Sequence, residues 1–291
     1  MAAWVYPVID PVAFRLGPLA VRWYGLAYVA AFIAAALILR SLNRRWDVGL
    51  TSEQQVDIVL AAVIGVIVGG RLGYVLFYGG LDYLREPLRI FATWDGGMSF
   101  HGGLVGILLA GWFVARRMKI SFLRICDIGA VGTPVGLLLG RISNFVNGEL
   151  WGRETTVPWA MVFPSGGPLP RHPSQLYEAF LEGFVLLVVM LVLSRRKRAD
   201  GFMVGVLLTL YGVFRIAVEF VREPDFQLGF IVGPITMGQL LSVPMVFAGA
   251  WLVWRALTNR DETVALDVEV GTPTDAESET VEGSGQLPPQ I

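Results

Sequence analysis

Seven apolar stretches of this sequence, separated by charged loops, are long enough to cross a lipid bilayer as helices. A crossing helix needs roughly 20 largely apolar residues. The chain is 54% apolar and 16% charged, whereas soluble domains carry about 25% charged residues. We therefore predict an all-α polytopic membrane protein. The predicted spans run from about 22 to 39, 57 to 78, 100 to 115, 127 to 142, 175 to 193, 202 to 220 and 235 to 254.

The distribution of basic residues predicts the orientation of these spans, because cytoplasmic loops carry an excess of Lys and Arg. With the N-terminus outside, thirteen of the 23 basic residues fall in the inner loops and the C-terminal segment. Eight fall in outer segments that are longer in total, and the largest of these, about 143 to 174, forms a small outer head segment. The sequence thus predicts an N-out, C-in chain with about seven crossings.

A change in composition near residue 259 divides the chain. After Arg260 there are eight acidic residues and no basic ones, in a segment rich in Thr, Ser, Pro and Gly. Such a segment cannot bury enough apolar surface to fold. We predict a membrane domain over residues 1–258 and an acidic, disordered, cytoplasmic tail over 259–291. The start of the chain lacks a basic segment followed by an apolar core, so no cleaved signal is expected.

Polar residues are densest in the segment from Gly140 to Arg153, directly after an apolar stretch. An arginine near membrane depth costs at least a few kcal/mol on insertion scales. One interpretation is that Arg141 extends to the interface while Asn144 and Asn147 form a polar turn. That interpretation explains one arginine and one turn. The density of polar residues favours a functional site.

Five of the predicted spans bring unusual polar groups to one depth, near the outer leaflet. A pore more often distributes such groups along its length, so we infer a site that opens on the outer membrane surface. The residues at this depth are Tyr24, Arg71, Tyr74, His101, Arg141, Arg215 and Glu219.

Three of these residues suit a phospholipid phosphate, because a guanidinium is always charged and its planar fork matches phosphate geometry. They are Arg71, Arg141 and Arg215. Glu219 follows Arg215 by four residues on one helical face, so it can pair with that arginine and orient it. A purely structural ion pair within the helix bundle fits the same spacing.

The two histidines have different contexts. His101 lies among glycines that leave its ring room to face a ligand, so a neutral imidazole there can act as a general base, although a hydrogen-bonded packing role also fits. His172 precedes Pro173 and Ser174, which suit a helix start. Two distant histidines and the single cysteine give no metal-ligand spacing, so no metal and no cofactor are expected. The orientation of the spans in the membrane already explains the short basic loops, so no nucleic-acid partner is expected.

At these residues the sequence resembles the bacterial prolipoprotein diacylglyceryl transferases. The segment Gly140 to Gly152 resembles that family's signature, and the resemblance covers roughly residues 5 to 257. Arg22 departs from it, because members of the family have a histidine before the Trp-Tyr-Gly. Supporting matches are Trp23 to Gly25, Gly70 to Tyr74, Trp94 to Gly103, Arg171 to Glu178, and Tyr211 to Glu219.

The resemblance implies an enzyme that moves the diacylglyceryl group of phosphatidylglycerol onto the lipobox cysteine of a preprolipoprotein. It further implies a multi-pass protein of the bacterial plasma membrane whose active site faces the outer leaflet and periplasm. By motif position, Arg141 and Arg215 hold the phosphate, and Asn144, Glu149 and Gly152 shape the headgroup site. Arg71 and Glu219 join the lipid-binding set. His101 and Tyr24 are alternatives for proton transfer or orientation.

Two other classes of function remain as alternatives. A transporter or lipid flippase would pass an anionic headgroup, but transporters show repeated halves and polar groups at the midplane, and neither is found here. A non-catalytic lipid-binding or scaffold protein would leave His101 beside Tyr24 without an explanation. The enzyme is the favoured interpretation.

Overall fold

A computed structural model describes residues 4–80, 82–93, 96–224 and 229–258. The acidic tail predicted for residues 259–291 lies outside the described residues. Within them the chain is mostly helical, as predicted. The α-helices are α1 (Trp23–Arg45), α2 (Ser52–Phe77), α3 (Asp82–Arg85), α4 (Phe100–Met118), α5 (Phe122–Val146), α6 (Ser174–Glu178), α7 (Leu186–Leu193), α8 (Phe202–Glu219) and α9 (Met237–Thr258).

Shorter elements connect these helices. A π-helical segment, Ala179–Val185, joins α6 to α7, and 3-10 turns occupy Pro87–Phe91 and Pro164–Gly166. Three two-stranded sheets pair β1 with β4, β2 with β3, and β5 with β6. The strands are β1 (Trp4–Val5), β2 (Val12–Leu16), β3 (Leu19–Arg22), β4 (Met161–Val162), β5 (Phe230–Val232) and β6 (Ile235–Thr236).

Six helical stretches of the described chain are long and apolar enough to cross a membrane: Trp23–Arg45, Ser52–Phe77, Phe122–Val146, Ser174–Leu193, Phe202–Glu219 and Met237–Thr258. The third predicted span, α4, is not among these six. It is 19 residues long and carries His101 near its start and Arg116 and Arg117 near its end, which lowers its apolar character. The multi-pass helical architecture is confirmed. Seven crossings and the N-out orientation stay predictions.

Helices α2 and α4 pack with their backbones in contact. Glycines recur every four residues on both helices, at Gly65, Gly69 and Gly73 and at Gly102 and Gly106, and small residues at this spacing let helices approach closely in lipid. A Cβ added to Gly73 would lie 2.7 Å from the Gly102 Cα atom, and one added to Gly65 would lie 2.6 Å from the Gly106 carbonyl oxygen. Gly69 likewise meets Gly106, at 2.8 Å. Because any side chain there would push the helices apart, this pair is held in one register, with the start of α4 beside the end of α2.

The two ends of the bundle differ in character. At one end, which we call the basic end, the Trp46 indole donates to the Ser194 carbonyl at 2.9 Å. At the same end Asp127, on α5, accepts 2.9 Å hydrogen bonds from the backbone N–H groups of Gly201 and Val204 at the start of α8. A fully buried apolar core that includes Leu42, Val131, Leu186 and Met203 lies toward this end.

At the opposite end, which we call the site end, the last turn of α5 lies against Tyr6, the residue that follows β1. The Tyr6 hydroxyl donates to the carbonyl oxygens of Phe145 and Val146 at 2.7 and 2.8 Å. The Tyr6 ring packs against Phe145 and Phe163. These contacts fix the last turn of α5, which carries the polar segment singled out from the sequence.

Candidate active site

Three arginines and three glutamates form one buried ionic cluster at the site end. They come from α5, from the helical stretch 174–193, and from α8 with the turn that follows it. The three glutamate side chains are at most 2% exposed, and the arginine side chains are between 7% and 18% exposed. The members of this charge cluster are Arg141, Glu178, Glu182, Arg215, Glu219 and Arg222.

Glu178 lies at the centre of the charge cluster. One of its carboxylate oxygens is 2.7 Å from Arg141 Nε and 3.1 Å from Arg215 Nη1. Its other oxygen lies 3.7 Å from Arg222 Nε. A single carboxylate thus holds three guanidinium groups from three segments, which fixes the distance between Arg141 and Arg215.

Glu219 closes the side of the cluster that faces α9. It pairs with Arg215 at 3.1 Å, one helical turn away, as the spacing predicts, and with Arg222 at 3.5 Å. A Cβ added to Gly238 of α9 would lie 2.8 Å from the Glu219 carboxylate. Glycine at position 238 therefore lets α9 approach this carboxylate closely.

Glu182 lies within the π-helical segment, one turn after Glu178. Its carboxylate oxygens are 3.7 Å from Arg141 Nη2 and 3.8 Å from Arg215 Nη1. Short π-helical segments within α-helices are frequent at functional sites. Here Glu178 lies just before the π-helical segment and Glu182 lies within it, and both carboxylates face Arg141 and Arg215.

The turn after α5 presents a second polar group beside the cluster. The side-chain amides of Asn144 and Asn147 donate to one carboxylate oxygen of Glu149, at 3.0 and 3.1 Å. Asn144 is buried while Glu149 is exposed, so the carboxylate is held at the surface by a buried partner. The next residue, Leu150, adopts a left-handed conformation with φ of 59°.

Residues 174 and 175 fasten this turn to the start of α6. The Ser174 hydroxyl donates to the Leu150 carbonyl at 3.1 Å, and the Gln175 amide donates to the Glu149 carbonyl at 2.6 Å. Both side chains are fully buried. The strained turn is thereby held against the segment that carries Glu178 and Glu182.

Gly152 lies at a crossing of three backbone segments. Its N–H donates to the His172 carbonyl at 2.8 Å, and an added Cβ would lie 2.5 Å from the Val221 carbonyl and 2.8 Å from the His172 Cβ. Arg153 donates to the Arg222 carbonyl at 2.9 Å. Only glycine fits at position 152, which brings the outer segment directly onto the end of α8.

His172 is a partly buried residue of the outer segment. Burial lowers the pKa of its imidazole, which favours the neutral form near neutral pH. Its Nδ1 atom is 3.2 Å from the Tyr177 hydroxyl, which also accepts a hydrogen bond from the Trp159 indole at 2.6 Å. This chain of contacts gives His172 a place in the packing of the outer segment.

Arg71 has a different environment from Arg141 and Arg215. It is 5% exposed, and its guanidinium donates to the backbone carbonyls of Arg89, Ile90 and Gly97 at 2.7, 2.9 and 3.0 Å, with a further short hydrogen bond to Gly96. The donors of Arg71 thus hold the loop that leads into α4. In the described part of the chain it makes no ion pair with the charge cluster.

His101 and Tyr24 lie at the starts of α4 and α1. His101 is exposed and its ring meets the edge of Phe100, while the Tyr24 ring lies 5.4 Å from that of Tyr28. Gly132 and Gly136 of α5 lie beside Ala35 and Ala31 of α1, so the two helices run in opposite directions. Because both rise 1.5 Å per residue, Tyr24 lies level with the last turn of α5. Among the described residues, neither side chain makes a hydrogen bond or ion pair with the charge cluster.

Sequence reasoning missed three members of the cluster as site residues: Glu178, Glu182 and Arg222. A signal was present for the two glutamates, since they are the only charged residues of the apolar stretch from Ser174 to Leu193. Ionisable residues in a membrane span are rare and usually face a bundle interior. Among the residues that the structure describes, no three His, Cys, Asp or Glu side chains are grouped so that they could hold a metal ion.

Comparisons with known proteins give a consistent result. A family model described as prolipoprotein diacylglyceryl transferase matches residues 11–255. The chain is 55% identical to the phosphatidylglycerol–prolipoprotein diacylglyceryl transferase of Geobacter sulfurreducens, over 84% of this chain and 94% of the relative. Proteins of the same name from Gluconobacter oxydans and Brucella canis are both 52% identical, over 87% and 88% of this chain and 94% of each relative.

Proposed function

The chain belongs to the prolipoprotein diacylglyceryl transferase family, and we propose that it transfers the diacylglyceryl group of phosphatidylglycerol to the lipobox cysteine of preprolipoproteins. The observation that carries this proposal is the charge cluster. It gathers arginine forks, which match phosphate geometry, in a buried setting where electrostatic interactions are stronger than in water. A phospholipid with an anionic headgroup is the substrate that such a site fits.

The proposed reaction is a substitution at carbon. The cysteine thiol loses its proton, and the sulfur attacks the glyceryl carbon that bears the phosphate ester. A carbon–sulfur bond forms and the carbon–oxygen bond breaks, with its electron pair passing to the phosphate oxygen. A thioether and glycerol 1-phosphate are the products. The bonds formed and broken balance without a cofactor.

The two demands of this reaction suggest roles for residues of the charge cluster and of the turn after α5. Negative charge develops on the leaving phosphate, and fixed donors that meet it lower the barrier. Arg141 and Arg215 are the proposed phosphate ligands, since Glu178 holds both of them and the side chain of Arg141 keeps some exposure. Asn144 and Glu149 are proposed to meet the glycerol headgroup, because they offer amide and carboxylate groups beside these arginines.

The remaining proposed residues act at the edges of this site. Glu219 orients Arg215, and Gly152 allows the outer segment to close over the end of α8. Arg71 is proposed as part of the lipid-binding region through the loop that it holds. The thiol needs a proton acceptor because the thiolate is the reactive form, and His101 or Tyr24 is proposed for that step.

The reaction is proposed to take place at a membrane. Six apolar helices make this a multi-pass membrane protein, and the basic loops at one end favour that end as cytoplasmic. The site end then faces the outer leaflet of the bacterial plasma membrane, where preprolipoproteins emerge after secretion. Phosphatidylglycerol, the lipobox segment and surrounding membrane lipids are the proposed partners.

Purified protein in detergent, supplied with phosphatidylglycerol and a lipobox peptide, tests this proposal. We expect the peptide to gain the mass of a diacylglyceryl group while glycerol phosphate is released in equal amount. A peptide in which serine replaces the cysteine should gain nothing. Intact peptide and intact lipid, from folded protein that binds both, would contradict the enzyme and favour a lipid-binding or transport protein.

Two arginine variants make the test specific to the charge cluster. Arg141→Ala should abolish transfer, because it removes a proposed phosphate ligand, the guanidinium that lies 2.7 Å from Glu178. Arg255→Ala removes an arginine at the opposite end of the bundle, where its side chain lies against Trp251. The second variant should transfer at the wild-type rate, and a similar loss in both variants would mean that the effect is not specific to the site.

A further inference from the structure

Glu182 is the member of the charge cluster whose carboxylate is least well paired. It is fully buried, yet neither of its oxygens accepts a hydrogen bond from any residue that the structure describes. Its nearest arginine nitrogens are 3.7 and 3.8 Å away. Glu178 instead meets arginine nitrogens at 2.7 and 3.1 Å, and Glu219 meets one at 3.1 Å.

The groups that face Glu182 come from α5, from α8 with the residues after it, and from its own helical stretch. Arg141 faces it from α5, while α8 and the residues after it contribute a tyrosine and two arginines. Its own helical stretch contributes Glu178. The charged and titratable groups that surround it are therefore Arg141, Glu178, Tyr211, Arg215 and Arg222, and Glu219 pairs with two of these, Arg215 and Arg222.

The charge cluster is neutral when all six of its members are ionised, because three carboxylates match three guanidinium groups. A lipid phosphodiester brings one more negative charge into this buried setting. An uncompensated charge away from water is costly, and proteins commonly respond by neutralising a titratable group. Among the three carboxylates, the one with the weakest pairing loses the least attraction to the arginines when it binds a proton.

We propose that Glu182 binds a proton when the phosphodiester of the lipid enters the charge cluster. The occupied cluster then stays neutral, with Glu178 and Glu219 still ionised and still holding Arg141 and Arg215 in place. This assignment rests on the proposed function, since it takes the lipid phosphate as the ligand of those arginines. It gives Glu182 a role in substrate binding that a purely structural ion pair would not have.

Proton uptake by the wild-type protein tests the assignment directly. Dioleoylphosphatidylglycerol in detergent micelles is mixed with the protein in weakly buffered, mildly alkaline solution, and a pH-indicator dye reports protons taken up. Tryptophan fluorescence follows binding in the same sample. We expect uptake to approach about one proton for each lipid bound, and no uptake with dioleoylglycerol, which lacks the phosphate.

The variant Glu182→Gln assigns the proton to its residue. The amide keeps the shape of the side chain but cannot titrate, so lipid binding should take up no proton. In the wild-type protein the dissociation constant should rise about tenfold for each pH unit across the range in which Glu182 is ionised before binding, whereas in Glu182→Gln it should stay flat. Glu223→Gln, an exposed carboxylate paired with Arg171, is the matched control and should behave as wild type.

The possible results separate this inference from the proposed function. Wild-type protein that binds phosphatidylglycerol and transfers its diacylglyceryl group without taking up protons would overturn the role of Glu182 alone. Equal proton uptake by wild type and Glu182→Gln would also overturn it, because another group would then be titrating. Wild-type protein that neither binds the lipid nor lipidates the peptide would overturn the proposed function itself.

Discussion

Replacing Glu178 with glutamine removes the carboxylate at the centre of the charge cluster and leaves its shape almost unchanged. Three guanidinium groups would then face two carboxylates in a region where Glu178 itself is 0% exposed. The amide can still meet one arginine as an acceptor, but it cannot balance a charge. We expect a large loss of stability from this single substitution.

The distances set the magnitude. At an effective dielectric constant of about 20, unit charges separated by 2.7 and 3.1 Å attract by roughly 6 and 5 kcal/mol. Much of this attraction is offset by the cost of taking the ions out of water, and removal of one partner from a buried pair costs about 3–5 kcal/mol net. At about 2–4 °C per kcal/mol for a chain of this size, the melting temperature should fall by roughly 10 °C.

Thermal unfolding in detergent, followed by intrinsic fluorescence, measures this change. Glu223→Gln is the matched control, because that carboxylate is 43% exposed and pairs with Arg171 at 3.1 Å. An exposed pair contributes less than about 1 kcal/mol, so its melting temperature should fall by no more than a few degrees. The combined variant Arg141→Gln with Glu178→Gln should lose about 1–3 kcal/mol less than the sum of the single variants.

Two results would refute this reasoning. One is a Glu178→Gln protein that melts within a degree or two of the control variant, which would mean that the buried pairs contribute little. The other is strict additivity of the Arg141 and Glu178 substitutions, which would mean that the two side chains do not interact in the membrane-protein fold. Either result would remove the basis for treating Glu178 as the residue that sets the arginine positions.

Three further predictions concern other parts of the chain. Arg71→Lys keeps the charge but loses the planar fork that meets the carbonyls of the loop before α4. Two or more lost hydrogen bonds of about 1 kcal/mol each should loosen this loop, so peptide lipidation should fall at least tenfold. Activity near wild type would show that charge alone suffices. Gly69→Val should lower the melting temperature by several degrees because an added Cβ would lie 2.8 Å from Gly106 Cα, whereas Gly129→Ala, which meets open space, should melt as wild type. Removal of residues 262–291 should leave the lipidation rate intact, because that segment lacks the apolar residues to pack, and a severalfold loss of rate would contradict this.

The parts of the site that could be predicted from sequence are those whose signal is local. Arg141, Asn144 and Glu149 stand within nine residues of one another directly after an apolar stretch, and the pairing of Arg215 with Glu219 follows from helical spacing alone. The close packing of α2 against α4 also follows from a local signal, since small residues repeat every four positions. These features do not depend on how distant segments meet.

Features that depend on distant packing could not be predicted in this way. Glu178 ends α6 and Glu182 lies in the π-helical segment that follows it, and both meet Arg141 of α5. Their charge within an apolar stretch marks them as unusual, but the local sequence does not specify that this stretch packs against the end of α5. Arg71 satisfies the sequence pattern for a phosphate ligand, but its donors meet carbonyl groups 18 to 26 residues away in an irregular loop. The direction of its side chain is therefore set by a fold that the local sequence does not specify.

The central claim is that the cysteine sulfur attacks carbon and that the carbon–oxygen bond of the phosphate ester breaks. Following the oxygen of that bond tests this claim most directly. Phosphatidylglycerol is prepared with oxygen-18 between the diacylglyceryl carbon and phosphorus, and is incubated with the protein and the lipobox peptide. Transfer of the diacylglyceryl group breaks the carbon–oxygen bond, so mass spectrometry should find the label in the released glycerol phosphate and none in the lipidated peptide. Label retained in the peptide product, or in free diacylglycerol, would show that the phosphorus–oxygen bond breaks instead and would contradict the account.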